Sequence, residues 1–167
     1  MRVLTLIATS AAVAATAAVG GLATRPAVQS SWYDRLRKPA YQPPQAVFPV
    51  VWPALYADIA VVSAATVDRL RDTGDRAAAR SYLVALAVNL VLNAGWTWVF
   101  FNRRYLGAAV AVNAALAASS TDLARRAIAV RGRSAAGLAF YPIWTAFALV
   151  LSTHIWLLNR HRTIDAP

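Results

Sequence analysis

The charges of this chain fall in clusters, and the clusters leave five windows, each close to the ~20 apolar residues that carry a helix across a bilayer. These are Val3–Ala23, Ala46–Val67, Ser81–Phe101, Tyr105–Thr121 and Leu138–Asn159. The second contains Asp58, and the other four carry no Asp, Glu, Lys or Arg. The expectation is an all-α integral membrane protein, a five transmembrane helix bundle in a single domain over residues 1–167. Its helices are placed near 3–23, 46–67, 81–101, 105–121 and 138–159, with 24–45 as the longest connector.

Composition agrees, since 59% of residues are hydrophobic and 14% charged, against roughly 45–50% and about 25% in soluble domains. The opening MRVLTLIATSAAVAATAA also has the basic start, apolar core and Ala-x-Ala-like sites of a cleaved signal peptide. Its apolar run continues through Val19, Gly20, Gly21 and Leu22, longer than a signal core requires. There are no cysteines, which excludes disulfides and thiolate metal sites. Sixteen Arg and one Lys stand against seven Asp and no Glu, a net charge of +10. These cations are spread over every loop, which points to anionic membrane lipid and away from nucleic acid. Counted on alternating sides of five helices, Lys and Arg divide nine against eight, Arg160 and Arg162 included, so they set no orientation.

The third window carries Tyr82, Asn89, Asn93, Trp96 and Phe100 at separations of seven, four, three and four, one narrow stripe on a helix. Amides in hydrocarbon need partners, so Asn89 and Asn93 face other helices or a ligand cavity. Interhelical hydrogen bonding and ligand contact are both open to them. The fifth window repeats the theme with Trp144, Phe147, Ala148 and Leu151, where small Ala148 leaves a recess beside two rings. The second brings Trp52 and Tyr56, one turn apart. Gly107, Ala111, Ala115 and Ser119 give the fourth a small-residue face for close helix packing, inside the bundle or between protomers. Asp58 and His154 lie deep in apolar runs, each expected to have a hydrogen-bonding partner. Three or four converging metal ligands are not in view, so no metal site is expected.

The first connector holds WYDRLRKPAYQPP, Trp32 to Pro44, with three aromatics, three cations and three prolines. Pro39, Pro43 and Pro44 restrict its backbone, which suits a lid held in one shape. Together with Leu36, Val47-Phe48, Trp52, Leu55-Tyr56, Leu92-Asn93, Trp96, Phe100-Phe101, Tyr141, Trp144, Phe147-Ala148 and Leu151, it resembles the tryptophan-rich sensory proteins. That family is also called the translocator or peripheral benzodiazepine receptor family. The chain departs from its pattern at Pro49, Val50, Phe140 and Ser152, and His154 and Trp156 stand where a proposed sterol-recognition pattern wants tyrosine.

The resemblance implies a multi-pass protein of a bacterial cell membrane, commonly a homodimer, with a pocket under the loop between helices one and two. It implies tetrapyrrole ligands such as protoporphyrin IX or haem, no required cofactor, and a role in regulating tetrapyrrole or stress responses. Photo-oxidative porphyrin breakdown, with Trp52 and Trp144 taking part, and transport of a porphyrin or sterol are the alternatives. Physically, a flat macrocycle can stack on aromatic rings in a mostly apolar pocket. Trp52, Tyr56, Asn89, Asn93, Trp96, Phe100, Trp144, Phe147 and Ala148 are the expected lining, with Trp32 and Tyr33 closing it from above. Arg35, Arg37 and Lys38 are the expected contacts for the propionate carboxylates, or for lipid headgroups.

Overall fold

Charge marks where hydrocarbon ends, but a helix ends only where its backbone is broken. The structure, a computed structural model, describes residues 1–161, and several of its helices outrun the uncharged windows for this reason. Helix α1 spans Val3–Val28, α3 Phe48–Asp72, α4 Arg76–Thr97, α5 Leu106–Arg131 and α6 Phe140–Asn159, with a short α2, Ser31–Arg35, between α1 and α3. Thus α1 takes Thr24 to Val28 out of the expected connector, and α5 continues ten residues past Thr121. Two of the stops are glycines in the left-handed region that other residues avoid: Gly74 (φ 80°) beyond α3 and Gly132 (φ 59°) at the end of α5. Asp75 then caps α4 by accepting from the Ala78 N–H at 2.9 Å. Arg162 lies outside the described residues.

Among the described residues, four helical stretches are long and apolar enough to cross a membrane: Val3–Val28, Gln45–Asp72, Arg76–Asn102 and Leu106–Asn159. The expected fourth and fifth segments both fall in the last. Gly132–Ala139 runs on as 3-10 helix from α5 into α6, so a helical backbone continues where a loop was expected. Eight residues is long for 3-10 geometry. Ala135 and Leu138 are fully buried there, which anchors the stretch against the bundle. The two helices it joins pack antiparallel. Asn113 Nδ2 donates to Ser152 Oγ at 3.2 Å, and the Ser120 and Thr145 hydroxyls lie 2.7 Å apart, so numbers rise along one helix as they fall along the other.

The faces turned outward are apolar, among them Val84, Val88 and Val91 on α4 and Phe140, Ile143 and Val150 on α6. Water would not tolerate so much of this surface, and hydrocarbon does. Inside, polar groups pair between helices, as an apolar solvent demands. Ser63 and Tyr82 join α3 to α4 at 3.1 Å. Thr9 of α1 donates to the Ala60 carbonyl of α3 at 2.9 Å. Asp68 receives the Arg2 backbone N–H and, at 2.7 Å, the Thr5 hydroxyl, tying the start of α1 to the end of α3. The small-residue face of α5 divides: Gly107 packs under the Trp156 indole, Ser119 accepts from Asn89, and Ala111 and Ala115 face outward.

Candidate ligand-binding site

Helix α6 packs closely on α5 and on the 3-10 stretch that leads into it, and leaves a gap to α1 and α3. Large rings fill part of the gap and hold the helices apart. Trp144 of α6 meets Trp52 of α3 edge to face, centroids 6.5 Å apart, and Phe48 at 5.9 Å. What remains between them is a cavity of about 850 Å³, within the ~300–1,000 Å³ usual for small-molecule sites. Of the expected lining, Tyr33, Trp52, Tyr56, Trp96, Phe100, Trp144, Phe147 and Ala148 stand on its wall. Beyond Thr97, the α4 backbone widens into one turn of π-helix, Trp98–Asn102. This turn carries Phe100 and Phe101 to the cavity while Trp98 Nε1 donates to the Val19 carbonyl at 3.1 Å.

Asn89 and Asn93 are buried beneath the cavity and do not stand on its wall. They hold a hydrogen-bonded chain: the Tyr56 hydroxyl donates to Asn93 Oδ1 at 2.9 Å, Asn93 Nδ2 donates to the Tyr141 oxygen at 3.0 Å, and the Tyr141 hydroxyl donates to Asn89 Oδ1 at 2.9 Å. Helices α3, α4 and α6 meet through this chain, and Tyr56 links it to the cavity. It is the interhelical role of the two that the geometry displays.

The lid begins at Gln29, and its α2 is capped by Ser30, whose side chain accepts from the Tyr33 N–H at 3.4 Å. Trp32 packs edge-on against Phe100, centroids 6.3 Å apart, above the cavity wall and not on it. Asn159, at the end of α6, latches the lid. Its Oδ1 accepts the Arg37 N–H at 3.1 Å and its Nδ2 donates to the Arg37 carbonyl at 2.9 Å. Tyr41 adds a contact to α6, its hydroxyl 3.1 Å from His154 Nδ1.

The three lid cations are off the wall. Arg35 donates back to the Ser31 carbonyl and hydroxyl, and the Lys38 ammonium sits 3.9 Å from the centre of the Tyr33 ring. Burial lifts the Tyr33 phenol above the ordinary tyrosine value, and burial also pulls the Lys38 ammonium below the ordinary lysine value. Asp58 lies outside the cavity, its Oδ2 buried without a partner among the described residues and its Oδ1 against Gly137.

A wall that the sequence reading passed over comes from α1: Ser10, Val13, Ala14, Ala17, Gly20, Gly21, Thr24 and Arg25. The signal was the absence of large side chains, which leaves space where other helices supply rings. Gly20 also lets α1 approach α4, since a Cβ there would meet Thr97 Oγ1 at 3.2 Å. Gln42 and Gln45 complete the lid side.

Comparison with known proteins bears on this arrangement. The model of the TspO/MBR family matches residues 8–157. The chain is 34% identical over 131 residues to the protein CrtK of Rhodobacter capsulatus, covering 77% of this chain and 79% of that one. It is 37% identical over 98 residues to a tryptophan-rich sensory protein of Cereibacter sphaeroides, 58% of each chain. To the translocator protein of Ovis aries it is 29% identical over 134 residues, 78% of this chain and 76% of the other.

Proposed function

The chain belongs to the TspO/MBR family, and from that premise we propose that it binds a flat, largely apolar ligand of the tetrapyrrole class, protoporphyrin IX or haem, beneath its lid. It is an integral membrane protein, and its relatives in Rhodobacter and Bacillus fit a bacterial membrane. Within that membrane we count five crossings, taking the antiparallel α5 and α6 as one each, and we take the protein to be a homodimer that senses its ligand and signals tetrapyrrole or stress status.

The observation that carries the reading is the cavity of about 850 Å³ walled by Trp52, Tyr56, Trp96, Phe100, Trp144 and Phe147. Rings at several angles can both stack on and edge a macrocycle. Trp96 Nε1, Trp144 Nε1 and Gln42 Oε1 are buried with no hydrogen-bond partner among the described residues. Such groups in a wall commonly find their partner in a ligand or water.

The test is a titration of the purified protein with protoporphyrin IX, read by tryptophan quenching. Saturable quenching is expected, weakened about three- to tenfold in Trp52→Ala through loss of stacking. Quenching that never saturates, or an affinity indifferent to Trp52→Ala, refutes the site. A second reading rests on the Trp52–Trp144 contact: two indoles beside a bound porphyrin could serve its light-driven oxidation by dioxygen. Illumination of the loaded protein should then yield a new absorbing product that Trp52→Phe and Trp144→Phe abolish while still binding.

A further inference from the structure

Among the described residues, Arg25 is the one charged side chain on the cavity wall. It stands in the last turn of α1, where a cation is favoured by the helix carbonyls. It also lines a second, smaller groove along α1 with Ala17, Gly21 and Pro26, so it marks where the cavity meets the outer side of that helix. Its guanidinium is uncommitted among the described residues: the ion pairs there join Arg2 to Asp72 and Arg125 and Arg126 to Asp122. The lid cations are differently placed. Arg35 is bonded to Ser31, Lys38 covers the Tyr33 ring, and neither they nor Arg37 reach the wall.

A cavity walled mainly by aromatic rings and small apolar side chains, with a single guanidinium at one edge, matches a ligand with an apolar planar body and an anion on its rim. Guanidinium meets carboxylate through a planar fork of two hydrogen bonds, stronger than neutral ones, and in an apolar surround it is poorly replaced by water. We propose that Arg25 is the anion-binding residue of the cavity and makes it selective for carboxylate-bearing ligands over their neutral counterparts. This rests on the ligand class argued above and replaces the lid cations as the carboxylate contact.

The experiment compares protoporphyrin IX with its dimethyl ester, in an uncharged detergent, on the wild type, Arg25→Gln, Arg25→Lys and Arg35→Gln. The wild type is expected to bind the acid about tenfold more tightly than the ester, the worth of one charge-assisted pair. Arg25→Gln should lose that preference by weakening the acid alone, Arg25→Lys should keep part of it, and Arg35→Gln should keep all. Arg25 is exposed, so the variants should melt as the wild type does. Should the glutamine variant not fold, partial preference in Arg25→Lys carries the test, and full preference there sinks the fork. A preference that survives in Arg25→Gln, or vanishes in Arg35→Gln, overturns the assignment while leaving the cavity's function intact. Equal binding of acid and ester by the wild type does the same. If neither form binds, the tetrapyrrole reading falls and this one falls with it.

Discussion

Replacing Asn159 with alanine should speed ligand exchange without much changing affinity. The side chain is 3% exposed and closes a two-bond clasp on the Arg37 peptide, at 3.1 and 2.9 Å, across 122 positions of sequence. No other hydrogen bond ties the backbone of α2 or its flanks to α6 among those described. Each bond is worth ~1 kcal/mol net, taken at the ordinary value because water can reach the freed Arg37 groups, so the open lid gains about 2 kcal/mol. That corresponds to roughly a 30-fold rise in its population. While the lid remains mostly closed, entry and exit both pass through the open form, so both rates rise by the same factor and their ratio holds. The assay is release of protoporphyrin IX from loaded protein into excess empty vesicles, followed by recovery of tryptophan fluorescence. A release rate equal to that of the wild type would refute the reasoning, since the ligand would then be leaving between helices and not past the lid. A weakened affinity with unchanged association would refute it differently, by showing that Asn159 supports the bound state itself.

Tyr141→Phe keeps the ring and removes the hydroxyl shared by Asn89 and Asn93. Two buried amide groups lose a partner, and a loss of about 2–3 kcal/mol is expected as a lower melting temperature in detergent. An unchanged melting temperature would show that the chain does not hold the three helices together. Gly137→Ala places a Cβ 3.1 Å from Asp58 Oδ1, a clash expected to destabilise by ~1–2 kcal/mol. Asp58→Ala in the same chain should restore that stability, and additive effects in the double-mutant cycle would remove the contact as the cause.

The windows between charge clusters, and with them a helical membrane protein, were legible in the sequence because a bilayer's demands are local: enough consecutive apolar residues, whatever lies elsewhere. The rings at Trp52 and Tyr56, at Trp96 and Phe100, and at Trp144, Phe147 and Ala148 were legible too, since residues three or four apart share a helix face. Depth was not. Asn89 and Trp96 lie on one face, but seven residues at ~1.5 Å each set them about 10 Å apart along the axis. What stands opposite at each level belongs to other helices. Tyr141 meets the amides and closes a hydrogen-bonded chain, whereas empty space meets Trp96.

Helix ends and the connection from α5 to α6 likewise depended on backbone features that charge does not report, at Gly74, Gly132 and the 3-10 stretch. The placing of the cations shows the same division. Sequence supplied a basic loop, and proximity suggested its cations for the ligand. The folded lid spends Arg35 and Lys38 on its own Ser31 and Tyr33, and the end of α1 brings Arg25 to the wall. By itself, then, the sequence determined the solvent the chain lives in, its helical class, its family and the aromatic faces of three helices. Tertiary structure alone decided which of those faces enclose space, that α1 forms the fourth wall, and which charge stands at its edge. Hydrophobic periodicity is a property of one helix, and a cavity is a property of the distances between several.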